Sequence, residues 1–210
     1  MALSRDRIVE AAVRVADRGG LDGVSMRNVG KELGVEAMSL YHHIAGKDAL
    51  LDALVDEVFA GIELPALDDP WRPAMAARAC SARAVLSRHP WALGLIESRR
   101  NPGPALLHHH DTVLGCLRRN GFTVALAAHT FSVIDAYVYG FVLTEIHLPF
   151  EAGEGAEEFV ATMGLPADVY PHLAEMITEQ VRGRDYAYAD EFGYGLELIL
   201  DGVADRLAVA

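Results

Sequence analysis

Apolar residues recur with the period of a helix along almost the whole chain. Ile8, Ala11, Ala12, Val15 and Ala16 fall at i, i+3, i+4, i+7 and i+8, which marks the inner face of a first helix. Gly19 and Gly20 end it. Asp22-Gly23 is a turn signal, and Ser25 is placed to cap a second helix that buries Met26, Val29 and Leu33. Gly34 turns the chain into a third helix over 36–43, anchored by Leu40 and Ile44. A fourth over 47–59 has Leu50, Leu51, Leu54, Val55 and Val58 as its apolar side.

Residues 61–73 carry three prolines and several acids, the clearest break in the chain. Beyond it the pattern predicts helices over 73–88, 91–98, 105–119, 123–147, 166–181 and 186–207. Pro90, residues 101–104, Asn120-Gly121, an acidic loop at 151–158 and Gly183 separate them. No strand-like alternation and no internal repeat interrupts this. The expectation is an all-α chain in two parts. Residues 1–48 form a three-helix helix-turn-helix head, helix 47–60 connects, and 61–210 form a larger helical body.

Composition narrows the setting. A chain of 210 residues, 51% hydrophobic, can bury a substantial core and is not disordered. No apolar run approaches the ~18 residues of a membrane span, and the start lacks the apolar core of a secretion signal. A cytoplasmic protein with no membrane partner is expected. Cys80 and Cys116 have no metal-ligand spacing and read as reduced helix residues. Net charge is −12, but residues 1–48 hold seven basic and seven acidic side chains, so the whole excess lies in the body. Such a neutral head binds DNA through a few placed contacts and has weak non-specific affinity, a quantity set by phosphate neutralisation.

The segment from Ser25 to Lys47 carries the chemistry that points to DNA. In a helix-turn-helix the second helix enters the major groove while the first braces it. With Leu40 and Ile44 turned inward, Glu36, Ala37, Ser39, His42 and His43 lie on the outer arc, with Met38 near its edge. Ala37 and Met38 suit a thymine methyl, and Ser39 and His42 hydrogen-bond to base edges. Glu36 either accepts from a cytosine amino group or repels phosphate. Tyr41, His43 and Lys47 are phosphate donors, joined by Ser25 and Arg27 from the second helix. A generic helical hairpin with a polar surface would share the spacing.

These residues resemble a known family. Leu40-Tyr41-His42-His43-Ile44 with Lys47 and Leu50-Leu51, the start Ile8-Val9-Glu10-Ala11-Ala12, and Gly20 with Ser25-Met26-Arg27 are similar to the DNA-binding signature of TetR-family repressors. Asp69-Pro70-Trp71, His89-Pro90-Trp91, Gly121-Phe122, Tyr139-Gly140-Phe141 and the run from Phe192 to Gly202 resemble the tetracycline-repressor-like C-terminal branch. The resemblance implies phosphate contacts from Ser25, Tyr41, His43 and Lys47, and base contacts from Arg27, Ala37, Met38, Ser39 and His42. It implies a repressor, released from a palindromic operator by a small-molecule effector. An activator or sensor of the same fold is the nearest alternative. An all-helical enzyme is the distant one, because no nucleophile–base arrangement is legible.

In the body, Phe192, Leu196, Ile199, Val203 and Leu207 make an apolar stripe, with Gly193 and Gly195 opening room for another helix. Helix 123–147 is apolar nearly all round and needs cover on both sides. A homodimer through these two helices supplies that cover, and is also the family's arrangement. The candidate interface is Tyr137, Phe141, Phe192, Gly193, Leu196, Ile199, Leu200 and Val203. The resemblance places an effector against helix 123–147, and Trp91, Phe131, Asp135 and Tyr139 are its candidate contacts. His108-His109-His110 point about 100° apart on a helix and cannot converge on one ion. Glu145 and His147 fit no metal motif, so neither a metal nor a cofactor is expected.

Overall fold

The computed structural model describes residues 2–98, 102–151 and 155–209. Their eleven α-helices are joined by turns, and no strand occurs among the described residues. Helix α1 (Arg5–Gly19) starts at Ser4, whose hydroxyl caps the Arg7 amide, and buries Ile8, Val9, Ala11, Ala12, Val15 and Ala16. It ends where Gly20 takes φ +63°, a conformation a side chain resists. Helix α2 (Met26–Leu33) is capped by Ser25 on the Asn28 amide at 3.1 Å. Gly34, left-handed at φ +69°, closes it.

Helix α3 (Ala37–Leu40) is shorter than the periodicity predicts. The amides of Tyr41, His43 and Ile44 still bond back to Met38, Leu40 and Leu40. Helical turns therefore continue to Ile44, which is buried with Leu40. Helix α4 (Lys47–Ala60) runs out of the head into the body, packing on α1, α6 and α7.

The body holds α5 (Trp71–Arg88), α6 (Trp91–Ser98), α7 (Pro104–Arg119), α8 (Val124–Glu145), α9 (Ala156–Met163), α10 (Pro171–Met176) and α11 (Glu191–Ala208). Helices α5, α7 and α11 pack on α8. Residue 101 of the expected break at 101–104 and residues 152–154 of the expected acidic loop at 151–158 lie outside the described residues. Residues 156–158 of that loop are helical. Gly155 at φ +90° starts α9, and Glu157 and Glu158 in its first turn complement the helix dipole. Helix α10 opens at Pro171 rather than Pro166, and a π turn (Ile177–Val181) follows it. A 3-10 turn at Tyr188–Asp190 delays the last helix to Glu191.

Helix α8 has no long uninterrupted apolar run, as expected, yet an 18-residue stretch of its 22 residues has mean hydropathy 1.4, enough to cross a bilayer by length and composition. A core helix of a helical bundle meets the same measure, and here Ala127, Ile134, Val138, Phe141 and Val142 are buried within the protomer.

The apolar stripe of the last helix also differs from expectation. Phe192, Leu196, Leu200 and Val203 are buried in the protomer's own core, as is Phe141 opposite them. Tyr137 is half-buried, and its hydroxyl donates to the Phe192 carbonyl at 2.9 Å. A Cβ at Gly195 would collide with that Tyr137 ring, so this glycine admits a neighbour from the same chain. The stripe was assigned to a partner because burial periodicity alone does not distinguish a partner helix from α8. Of the expected interface set, exposed Gly193 and half-buried Tyr137 and Ile199 remain accessible. The exposed large apolar side chains on these two helices include Val124, Val133 and Leu143 of α8, with Tyr194 (69% exposed) and Leu198 (57%) of α11.

Candidate nucleic-acid interface and effector site

The α2–α3 turn owes its tightness to two glycines. Gly34 makes the left-handed bend, and Gly30 lets α3 approach, since a Cβ there would stand 2.9 Å from the Val35 carbonyl oxygen. The Asn28 side-chain amide donates to the Gly23 carbonyl at 2.7 Å and fixes the entry to α2. Glu32 binds Arg14 and Arg18 of α1, which braces α2 from behind.

With Leu40 and Ile44 inward, the expected arc faces outward. Met38 is 73% exposed and Tyr41 47%, and Arg27, Glu36, His42, His43 and Lys47 are exposed beside them. Ala37 and Ser39 are half-buried. Ser25 spends its acceptor on the α2 cap and keeps its O–H to donate. Lys47 is exposed at the start of α4 behind Gly46, where no side chain caps the first backbone amides. This surface presents apolar atoms at its centre and hydrogen-bond donors around it.

A second cluster is buried in the body, centred on a residue the sequence did not single out. Arg78 of α5 is 2% exposed. Its Nε donates to His109 Nε2 at 2.9 Å, and its Nη2 donates to Asp135 Oδ1 at 2.5 Å. Its guanidinium lies 5.2 Å from the Phe131 ring centroid, a cation–π distance. The Tyr139 hydroxyl donates to Asp135 Oδ2 at 3.4 Å, and His110 sits edge-on to Phe131. Phe131, Asp135 and Tyr139 are thus brought together, while Trp91 lies elsewhere, its indole N–H bonded to Asp17 of the head. The sequence signal for Arg78 was a lone cation amid alanines and Met75 on a buried helix face.

The histidine triplet splits as helical geometry requires: His108 is exposed, His109 is buried edge-on to Phe59, and His110 contacts Phe131. Because His109 Nε2 accepts from Arg78, its proton sits on Nδ1. That Nδ1–H and Arg78 Nη1 are buried donors without a partner. Such donors are costly to leave unmade, which marks where an acceptor belongs. Glu145 and His147 are engaged elsewhere, with Arg83 and the Leu143 carbonyl.

Burial first, and then Arg78, push the His109 pKa from 6.5 down to about 3. Burial lowers that of His110 as well. The unfolded chain therefore binds protons between pH 6.5 and 3 that the native chain refuses. Stability is fully present above pH 6.5 and falls as pH drops through that window. Glu32, held low by Arg18 and Arg14, loses its contribution as pH falls below 4.5. Urea midpoints between pH 4.5 and 6.5 therefore isolate the histidines, and His109→Gln should flatten the slope there. An unchanged slope would remove His109 from this role.

Known proteins are similar to this chain in sequence and in fold. A family model described as bacterial regulatory proteins, tetR family, matches residues 8–54. One described as tetracyclin repressor-like, C-terminal domain, matches residues 64–207. The HTH-type transcriptional repressor DrrR1 of Streptomyces coeruleorubidus is 37% identical over 212 residues, covering 96% of this chain and 77% of the relative. The class A tetracycline repressor protein from transposon 1721 of Escherichia coli is 30% identical, covering 99% and 93%. Apo ActR from Streptomyces coelicolor superposes with a TM-score of 0.78 at 26% identity, covering 99% of this chain and 98% of that one. The same protein in complex with actinorhodin gives 0.78 at 28% identity, covering 97% of both chains.

Proposed function

The chain belongs to the TetR family, and from that membership we propose how its residues divide the work of a ligand-responsive transcriptional repressor. The head, residues 1–48, reads operator DNA, and the body, 61–210, dimerises and holds the effector, with α4 between them. Tyr41, His43, Lys47 and Ser25 contact phosphates. Arg27, Met38, Ser39 and His42 meet base edges, with Ala37 packed alongside. The observation that carries this is the outward arc of Met38, Tyr41, His42, His43 and Lys47 at the tight Gly34 turn.

Tyr41→Phe and Lys47→Ala should weaken binding alike on every operator sequence, and Lys47→Ala, which removes one phosphate contact from each of two heads, should reduce the slope of log K against log salt by about 1.8. His42→Ala should change base preference instead. Unchanged gel-shift affinity in all three variants would sink the assignment.

A homodimer covers the outer apolar face of Val133, Leu143, Tyr194 and Leu198 and the groove of about 350 Å³ between α8 and α11. Two heads on one two-fold axis read a near-palindrome, with half-sites one or more DNA turns apart. The effector binds against Phe131, Asp135 and Tyr139 and offers acceptor oxygens to Arg78 Nη1 and His109 Nδ1. It releases DNA by preferring a conformation with misplaced heads. A full switch needs about a 10⁴-fold preference. ActR, of similar structure, binds actinorhodin and (S)-DNPA, so these are the first compounds to titrate. The protein works in the cytoplasm, where its operator DNA lies.

A further inference from the structure

We propose that Asp17 is a positioning residue for DNA recognition: it fixes the orientation of the reading head on the body and thereby the spacing between the two heads. The inference rests on the dimeric, operator-reading function above.

Asp17 lies in the last turns of α1, on the head. One oxygen of its carboxylate, Oδ1, meets His89 Nδ1 at 2.7 Å and accepts from Trp91 Nε1 at 2.7 Å. An indole N–H only donates and an ionised carboxylate only accepts, so the proton of the His89 bond sits on Nδ1. The two donors flank Pro90, at the corner where α5 ends and α6 begins. Two converging bonds to one oxygen hold the carboxylate against that corner. The Asp17 side chain is 34% exposed and that of His89 17%.

Shape packing adds little around this contact. A cavity of about 380 Å³ lies on one side, lined by Val13 and Arg14 of α1 against Val85 and His89. One of about 510 Å³ lies on the other, lined by Asp17 and Gly20 against Trp91 and Gly94. The main tie between head and body among the described residues is α4, packed on α1 of the head and on α6 and α7 of the body. A head held mainly by one helix pivots about it, and an off-axis contact resists the pivot. Asp17 supplies that contact. Any pivot displaces α3, and in a dimer the displacement appears as a change in the distance and phase between reading helices.

The test uses full-length protein and an operator selected by the wild type from random DNA, then lengthened between half-sites by one base pair. That insertion shifts one half-site by about 3.4 Å and about a tenth of a turn. The wild type should lose about tenfold or more in affinity. Trp91→Phe, which removes the N–H together with the five-membered ring, and Asp17→Ala should lose about threefold or less, while the salt slope stays unchanged because no phosphate contact is touched. Asp17→Asn, which keeps an acceptor oxygen, should fall between. Variants that keep the full wild-type penalty overturn the proposal, even if their melting temperature has dropped. A wild type indifferent to spacing overturns the dimeric reading and this inference with it.

Discussion

Asp135→Ala should lower the unfolding free energy by about 3–5 kcal/mol, the cost of leaving one member of a buried ion pair without its counterion. The partner left behind is Arg78, a cation 2% exposed between α5, α7 and α8. Its other anchors, the neutral His109 and the Phe131 face, do not neutralise it. For a chain of this length the loss corresponds to roughly 6–20 °C in melting temperature. Replacing both members, Arg78→Met with Asp135→Leu, should restore much of the stability, because the pair's own desolvation penalty disappears with it. Thermal and urea unfolding at pH 7 measure both. A single variant within about 1 kcal/mol of the wild type would mean that water or a rearranged anion reaches Arg78. The double variant should still fail to bind an acceptor-bearing effector, which separates the stabilising role of the cluster from its binding role.

Leu198→Asp together with Tyr194→Asp should turn a dimer into a monomer and reduce operator affinity by about 10²–10⁴-fold. That factor is what is lost when two tethered sites become independent. Both side chains are more than half exposed on α11, so the change places two carboxylates in the proposed interface without disturbing the protomer's core. Leu196→Ala is the contrasting variant. Leu196 is buried against the protomer's own helices, and its truncation should cost about 2–5 kcal/mol of stability while leaving the subunit count alone. Sedimentation and gel shift read the two outcomes separately. A doubly substituted protein that still sediments as a dimer would place the interface elsewhere.

What the sequence made legible follows from where local signals are strong. Ser25, Gly34 and the inward pair Leu40 and Ile44 specify the turn and the reading arc by rules acting over a few residues, and the structure has them there. The helical periods of α1, α4, α7 and α8 were equally local. The failures needed information from across the chain. Phe192, Leu196 and Leu200 look the same in sequence whether α8 belongs to the same chain or to a partner. Arg78 announces itself only once His109 and Asp135, 31 and 57 residues away, are seen around it. Trp91 fits an apolar pocket by composition, and only the approach of Asp17 shows what its N–H does. Helix α9 was hidden because glycine and glutamate, read as loop formers, served as a left-handed start and a favourable first turn.

The way α3 is held separates what the head is from what it reads. Gly30, Gly34, Leu40 and Ile44 place the helix, and none of them belongs to the exposed arc. Met38 and His42, proposed to meet the bases, are exposed. Surface substitutions of that kind usually change stability by no more than about 0.5 kcal/mol. Recognition can therefore drift, by selection or by design, across many side chains at these positions while the scaffold stays intact. A gene duplication could supply a second regulator with a new operator after one or two changes, both copies keeping the same body and the same signal.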